Sequence, residues 1–285
     1  MTNLKSYFVV IYTILAAAIT LLALVQLVWH GLSLTWLGTL LTTVPFVTLY
    51  AGARYLKKTA RTSRYLPIPT LITVIGLGLA TYGYLQAEAT PYRGIGLAAA
   101  VIGSVGFLLY VHWYSIFNRR VSTKLSMGQQ LPGFEAQQPD GKPVHSDVLL
   151  GKPALLLFYR GGWCPICMAH VDEVASRYRG LIDRGVQVAL ISPQPPDLTR
   201  RVAEMYDVAF NFWVDVESRA ALALGIINKD GVPVTVRKRY GADTVLPTVV
   251  ITDPEGKIIF TDQTNNYRVR PNPDLFIDAL SMHGY

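Results

Sequence analysis

Ten residues, Phe158-Tyr159-Arg160-Gly161-Gly162-Trp163-Cys164-Pro165-Ile166-Cys167, decide the fold of the second half of this chain. They close a continuous apolar run, Ala154 to Tyr159, which reads as a buried central strand. A helix pattern begins at about Cys164 and continues to Arg184. Gly161 and Gly162 allow the sharp turn between strand and helix. Pro165 suits the first helical turn, because the amide it lacks would have no partner there. The chain has 285 residues and only 2 cysteines, and both lie at this junction. A helix N-terminus presents unpaired N–H groups and the positive end of the helix dipole, and both stabilise a thiolate. Cys164, at that end, is expected to be an exposed nucleophile. Cys167, nearly one turn further on, is expected to attack a mixed disulfide and release the product. Trp163 is expected to cover the site.

Other uses of a cysteine pair fit less well. Zinc needs two further ligands, and no second cysteine pair exists, while His145 and His170 stand alone. Covalent haem attachment needs a histidine directly after the second cysteine, where this chain has Met168. A structural disulfide does not suit a reducing compartment. An inert pair of buried thiols stays open as the plain alternative. His170, two turns from Cys164, reads as solvated or packed and not as a catalytic base.

Outward from the junction, strands and helices alternate. Val186 to Ile191 reads as a second buried strand, and Pro196-Asp197 opens a helix. A short strand at Asn211 to Val214 and a short helix at Glu217 to Leu224 follow. Val245 to Thr252 and Lys257 to Thr261 are strands around the turn Asp253-Pro254-Glu255-Gly256, and Leu275 to His283 is the last helix. Asp140-Gly141 marks a tight hairpin turn. This alternation predicts an α/β domain with a central mixed sheet.

The junction resembles the Trp-Cys-x-x-Cys motif of the thioredoxin superfamily. Leu246-Pro247-Thr248-Val249-Val250-Ile251 is similar to the segment that carries a cis-proline facing the cysteine pair in that fold. The resemblance implies that Pro247 is cis and places its backbone beside Cys164 for substrate pairing. Leu131-Pro132-Gly133-Phe134, Phe158 to Pro165, Ile191-Ser192-Pro193-Gln194 and Tyr267-Arg268-Val269-Arg270-Pro271 resemble the peroxiredoxin-like branch, of the alkyl hydroperoxide reductase/thiol-specific antioxidant type. That branch carries Pro-x-x-x-Thr/Ser-x-x-Cys around its peroxidatic cysteine, with the hydroxyl orienting the peroxide. Leu157 and Gly161 occupy the matching positions here, so that constellation is incomplete. Arg160 either offers its guanidinium to a thiolate or peroxide oxygen or caps the strand by pairing with a surface acid.

The first part of the chain has another character. The whole is 51% hydrophobic and 16% charged with a mean hydropathy of +0.30, against about 25% charged residues in soluble domains. This excludes a disordered chain, and 2 cysteines exclude a disulfide-stapled scaffold. Residues 1–118 hold seven Lys/Arg and one acid, Glu88, so the pI near 9.4 belongs mainly to that part. No nucleic-acid motif accompanies it. Four apolar runs, about 7–29, 34–53, 68–87 and 95–117, each approach the ~20 residues that span a bilayer as a helix. Lys5, Arg54, Lys57, Lys58, Arg61, Arg64, Arg119, Arg120 and Lys124 fall on one side of four such spans, and only Arg93 on the other. The positive-inside rule then places both termini in the cytoplasm, in a cell inner membrane or plasma membrane. Trp29, Trp36, Tyr50, Trp113 and Tyr114 read as interfacial anchors. Gly76, Gly78 and Gly83, and the Gly96, Ala100, Ser104 series, suit close helix packing and permit an oligomer.

The sequence therefore predicts an all-α transmembrane four-helix region (1–118), a linker (119–127) and an α/β thioredoxin-like domain (128–285). Its leading function is a membrane-anchored thiol–disulfide oxidoreductase. Cys164 and Cys167 are catalytic, and Arg160, Trp163, Pro165 and Pro247 support them. It requires no metal or organic cofactor. Its expected partners are a disulfide-bearing protein, a cellular dithiol donor and the lipid bilayer, with no nucleic acid. A thiol peroxidase acting on hydroperoxides near the membrane is the enzymatic alternative. A redox sensor that switches a membrane partner is the non-catalytic one.

Overall fold

The computed structural model describes residues 3–52, 61–86 and 92–285. The chain divides into two compact units. One comprises Tyr7–Lys58 and Thr62–Ile116. The other comprises Phe117–Tyr285 together with Met1–Ser6 and Thr59–Arg61. The topology residues Arg54, Lys57 and Lys58, the lone acid Glu88, and the expected span ends at Ala53 and Ala87 lie outside the described residues.

Four helices build the first unit: α1 (Asn3–His30), α2 (Leu34–Ala51), α3 (Pro67–Leu85) and α4 (Arg93–Leu109), the last continued by a π turn, Tyr110–Tyr114. Each is long and apolar enough to cross a membrane. In a bilayer, a run of this kind is helical because hydrocarbon offers the backbone no other partner. The Ser33 hydroxyl caps α2 by accepting from Trp36 N–H at 3.4 Å. Small residues let the helices close up as expected. A Cβ on Gly38 would stand 2.3 Å from Ala80 N, and one on Gly76 would stand 2.7 Å from Gly38 O. Gly96, Ala100 and Ser104 are all buried. Gly78, by contrast, faces open space. Hydroxyls cross between helices, Thr39 Oγ1 to Gly96 O at 2.8 Å and Tyr12 OH to Gly103 O at 2.9 Å. Trp36 and Tyr114 are buried within the unit instead of standing as interfacial anchors.

The second unit is an α/β domain with a thioredoxin-like plan. Its elements are β1 (Glu135–Gln137), β2 (Pro143–His145), β3 (Ala154–Phe158), α5 (Pro165–Ser176), α6 (Tyr178–Ile182), β4 (Gln187–Ser192), α7 (Pro196–Ala203), β5 (Asn211–Val214), α8 (Arg219–Ala223), β6 (Ile227–Asn228), α9 (Arg237–Tyr240), β7 (Thr244–Val245), β8 (Thr248–Thr252), β9 (Ile258–Asp262) and α10 (Asp274–Met282). Seven strands form one sheet in the order β2-β1-β5-β4-β3-β8-β9. β3 and β4 are parallel, as are β4 and β5, whereas β8 runs antiparallel to β3. The sheet is mixed, as the alternation predicted. β3 is buried along its whole length because it has a partner on each edge and side chains packed on each face.

Three details differ from the sequence reading. The long helix expected from 164 to 184 breaks at Arg177, whose N–H turns back to Val174 O, three residues earlier. The single strand expected over 245–252 is two, because Val245 pairs with Ile227 in a separate two-stranded ribbon. Residues 119–127, expected to link, are folded onto the domain. Arg119 donates to Pro247 O at 3.0 Å and Thr248 Oγ1 at 3.1 Å, and Ser122 Oγ donates to Leu224 O at 2.6 Å. The Asp140-Gly141 turn is as expected, joining β1 to β2 with Gly141 at φ +90°.

Candidate active site

The site grows from the C-terminal end of β3. Tyr159 N–H donates to Ile191 O at 3.0 Å, prolonging the ladder one residue past the strand. The chain then turns at Gly161, where φ is +134°, a region that side chains rarely enter. A Cβ there would lie 3.0 Å from both Cδ1 and Nε1 of Trp163. The turn is held from below by Gln194, which is buried beyond β4. Its Oε1 accepts from Gly162 N–H at 2.8 Å, and its Nε2 donates to Tyr159 OH at 3.1 Å. Cys164 N–H donates to Gly161 O at 3.1 Å, and Cys164 O accepts the first helical bond from Met168 N–H at 3.0 Å. Cys164 is thus the N-cap of α5, and Pro165 occupies its first turn, as the sequence required.

The two thiols are not displayed on the surface. Cys164 is 3% exposed and Cys167 2%, which corrects the expectation of an exposed nucleophile. The cause is the location of the junction. The turn delivers Cys164 into the core cluster of Tyr159, Val171 and Val249, and Trp163 packs against the same cluster.

The charge distribution also differs from expectation. Burial opposes ionisation of Cys167. A hydrogen bond from Cys164, the Arg270 and Arg160 guanidiniums, and the Arg160 backbone together outweigh it and bring this thiol down to about 6. Cys164 is held well above the usual thiol range, first by that hydrogen bond to Cys167 and then by burial. The two thiols ionise as one coupled unit.

Arg160 is buried and turned inward. Its guanidinium carbon lies 4.4 Å from the centroid of the Trp163 ring and 5.7 Å from that of Phe117. Its Nη2 donates to Gly231 O at 2.5 Å, and its carbonyl accepts from Thr244 Oγ1 at 2.8 Å. Its positive charge favours ionisation of both thiols. Trp163 packs against the cluster that holds both cysteines, with its Nε1 buried and without a hydrogen-bond partner.

Pro247 lies where the resemblance put it in the sheet but not in the same conformation. The register Phe158↔Thr248 sets Pro247 at the end of β3 from which the cysteine turn departs. The peptide bond before it is trans, because cis peptides are absent among the described residues. Trans is the intrinsically preferred form of an X–Pro bond. Hydrogen bonds hold the extended path on either side, from Leu246 N–H to Ile226 O at 2.7 Å and from Arg119 to Pro247 O.

The sequence did not single out Arg270 or Gln194. Both lie within stretches quoted only for their resemblance, and no spacing rule points from either to the cysteines. Arg270 is 5% exposed, and its Nη1 donates to Val269 O at 2.9 Å. His170 is packed, one of the two alternatives expected. Its ring bonds the Pro271 carbonyl, and burial, reinforced by Arg270 and Arg61, lowers its pKa to about 3. Arg61 reaches the same segment, pairing with Glu173 on α5 and donating to Arg270 O at 3.2 Å.

This arrangement provides a thiolate, a second thiol in hydrogen-bond contact with it, and fixed positive charge. Those are the requirements for exchanging one disulfide for another.

Comparison with known proteins finds similarity over the second part of the chain. The model of the AhpC/TSA family matches residues 127–261. The thiol-disulfide oxidoreductase ResA of Bacillus cereus is 25% identical over 161 residues, covering 55% of this chain and 78% of that protein. ResA of Bacillus subtilis is 22% identical over 165 residues, covering 58% and 79%. The chloroplastic peroxiredoxin Q of Populus jackii is 24% identical over 106 residues, covering 37% and 50%. Among solved structures, peroxidoxin BcpB from Mycobacterium tuberculosis aligns with a TM-score of 0.47 and 19% identity, covering 55% of this chain and 97% of that one.

Proposed function

We propose, from the premise that residues 127–261 form an AhpC/TSA-type thioredoxin-like domain, that this thiol-dependent oxidoreductase reduces disulfides with Cys164 and Cys167 and is anchored in a membrane by α1 to α4. The observation that carries the reading is the pair itself, two thiols in hydrogen-bond contact at the first turn of α5, one of them lowered to about 6.

In the forward reaction Cys167 holds the proton that the pair shares as the Cys164 sulfur attacks a substrate disulfide. A Cys164–substrate bond forms and the substrate S–S bond breaks. The departing sulfur leaves as a thiolate and takes the proton from Cys167. Cys167, now a thiolate, attacks Cys164. The intramolecular disulfide forms, and the second substrate sulfur leaves as a thiolate that takes a proton from solvent. The substrate has gained two electrons and two protons, and a cellular dithiol restores the reduced pair. Arg160 and Arg270 stabilise the negative charge wherever it stands in this sequence.

Peroxide reduction is the second reading. The same two guanidiniums beside a thiolate favour it, and the relation to peroxiredoxin Q supports it. Gly161 stands against it, since the hydroxyl that orients peroxide in the resembling branch has no counterpart there. The positive charge around Lys5, Arg61, Arg64 and Arg119 supports a cytoplasmic redox domain.

The test uses the full chain in detergent with a model disulfide and a dithiol donor. Cys164→Ser is expected to abolish turnover. Cys167→Ser is expected to accumulate a mixed disulfide that a second dithiol cleaves. Full activity in Cys164→Ser, or trapping of substrate by Cys167 in its place, overturns the assignment. A reaction with hydrogen peroxide far faster than that of a free thiol, lost in Cys164→Ser, selects the second reading.

A further inference from the structure

Between β6 and β7 the chain makes an excursion, residues 229–243, that the redox chemistry does not use. It reads Lys-Asp-Gly-Val-Pro-Val-Thr-Val-Arg-Lys-Arg-Tyr-Gly-Ala-Asp, an apolar stretch from Val232 to Val236 followed by three consecutive cations. Thr235, Lys238 and Arg239 are exposed, and Val234 and Val236 are half-buried. Apolar residues beside clustered Lys/Arg are the composition of a segment that rests on an anionic membrane surface.

The excursion is fastened at both ends. On one side it grips the active site, through Gly231 O accepting from Arg160 and Thr244 Oγ1 donating to the Arg160 carbonyl. On the other it binds the first turn of α1, which belongs to the same compact unit. Val234 N–H donates to Ser6 Oγ at 2.8 Å, and Arg237 Nη1 donates to Asn3 Oδ1 at 2.7 Å. α1 begins at Asn3 and continues into a run long and apolar enough to cross a membrane, so as a span it would enter hydrocarbon just beyond those residues, with its first turn at headgroup depth. The acids on this side are accounted for. Asp230 lies 3.4 Å from Arg237, Asp197 lies 3.5 Å from Arg239, and Asp243 accepts from Asp230 N–H. Lys238 has no such partner among the described residues, and Arg201 of α7 adds charge near Tyr240.

We propose that residues 229–243 are a bilayer-docking loop whose Lys238 and Arg239 bind the headgroups of anionic phospholipids. This rests on the reading of α1 as a membrane span.

The experiment uses the full chain in nanodiscs of phosphatidylcholine, with or without phosphatidylglycerol, and follows hydrogen exchange of residues 229–243 by mass spectrometry. Each basic residue at an anionic surface strengthens binding about fivefold. Exchange is expected to slow several-fold with phosphatidylglycerol, to return when salt is raised, and to return in Lys238→Gln and in Lys238→Gln/Arg239→Gln. Equal exchange in the two lipids overturns the proposal, as does slowing by inorganic phosphate added to phosphatidylcholine discs, which would mark a site for free anions. Failure of the chain to enter discs at all would instead remove the membrane reading beneath it. Dithiol turnover measured on the same variants reports separately on the chemistry.

Discussion

Gly161 illustrates how much one backbone angle decides. With φ at +134° and the Trp163 ring 3.0 Å from the position of a Cβ, a side chain here forces both the turn and the indole to move. Gly161→Thr is expected to destabilise the protein by about 1–3 kcal/mol and to bring no gain in peroxide reduction, checked by thermal unfolding and a peroxide assay. The thiols make a second prediction. One of the pair ionises near 6, so alkylation by iodoacetamide should rise through that pH and not through about 8.5, the value of a free thiol. Arg270→Met removes a charge that favours the thiolate, so the midpoint should move upward. The sign for stability follows. A thiol lowered on folding stabilises the reduced fold above its unfolded value, and that contribution is lost as pH falls through about 6. At this scale the sequence disclosed the cysteines, Pro165 and Trp163 because a motif is local. It could not disclose Arg270, whose charge acts on Cys167 from about a hundred residues further along the chain.

The elements were legible where periodicity or a run of apolar residues was strong. β3, β4, β5 and the sheet class followed from that alone. The break at Arg177 and the division of 244–252 into two strands did not, because both depend on partners distant in sequence. Gln194 shows what such partners contribute, joining the loop after β4 to the turn before α5. Gln194→Leu leaves the Gly162 amide and the Tyr159 hydroxyl without that partner and is expected to cost about 1–3 kcal/mol. The thiol midpoint is expected to shift with it, which a loss of stability alone would not produce. Arg119 has the same standing at the entry to the domain, where it donates to Pro247 O and Thr248 Oγ1. The pattern of polar residues suggested a linker there, and long-range hydrogen bonds make it a structural part.

For the whole molecule, the division into an apolar helical part and a charged α/β part was plain from composition, and the structure keeps it as two compact units. Composition says less about which apolar residues face outward, so Trp36, read as an anchor, is buried. Two expected outcomes belong to this scale. The full chain should remain with membranes after extraction at alkaline pH. With the redox domain in the cytoplasm, a membrane-impermeant maleimide should label Cys164 or Cys167 in lysed cells and not in intact ones. Labelling of intact cells would reverse the orientation.

The turn at Gly161 also constrains descent. To acquire the hydroxyl of its peroxide-reducing relatives, a lineage would have to replace Gly161 while Trp163 still fills the space. It would also have to place a proline at Leu157, whose strand is bonded along both edges. Each substitution alone is expected to cost stability, so the glycine and the strand register together bar a one-step route to that constellation.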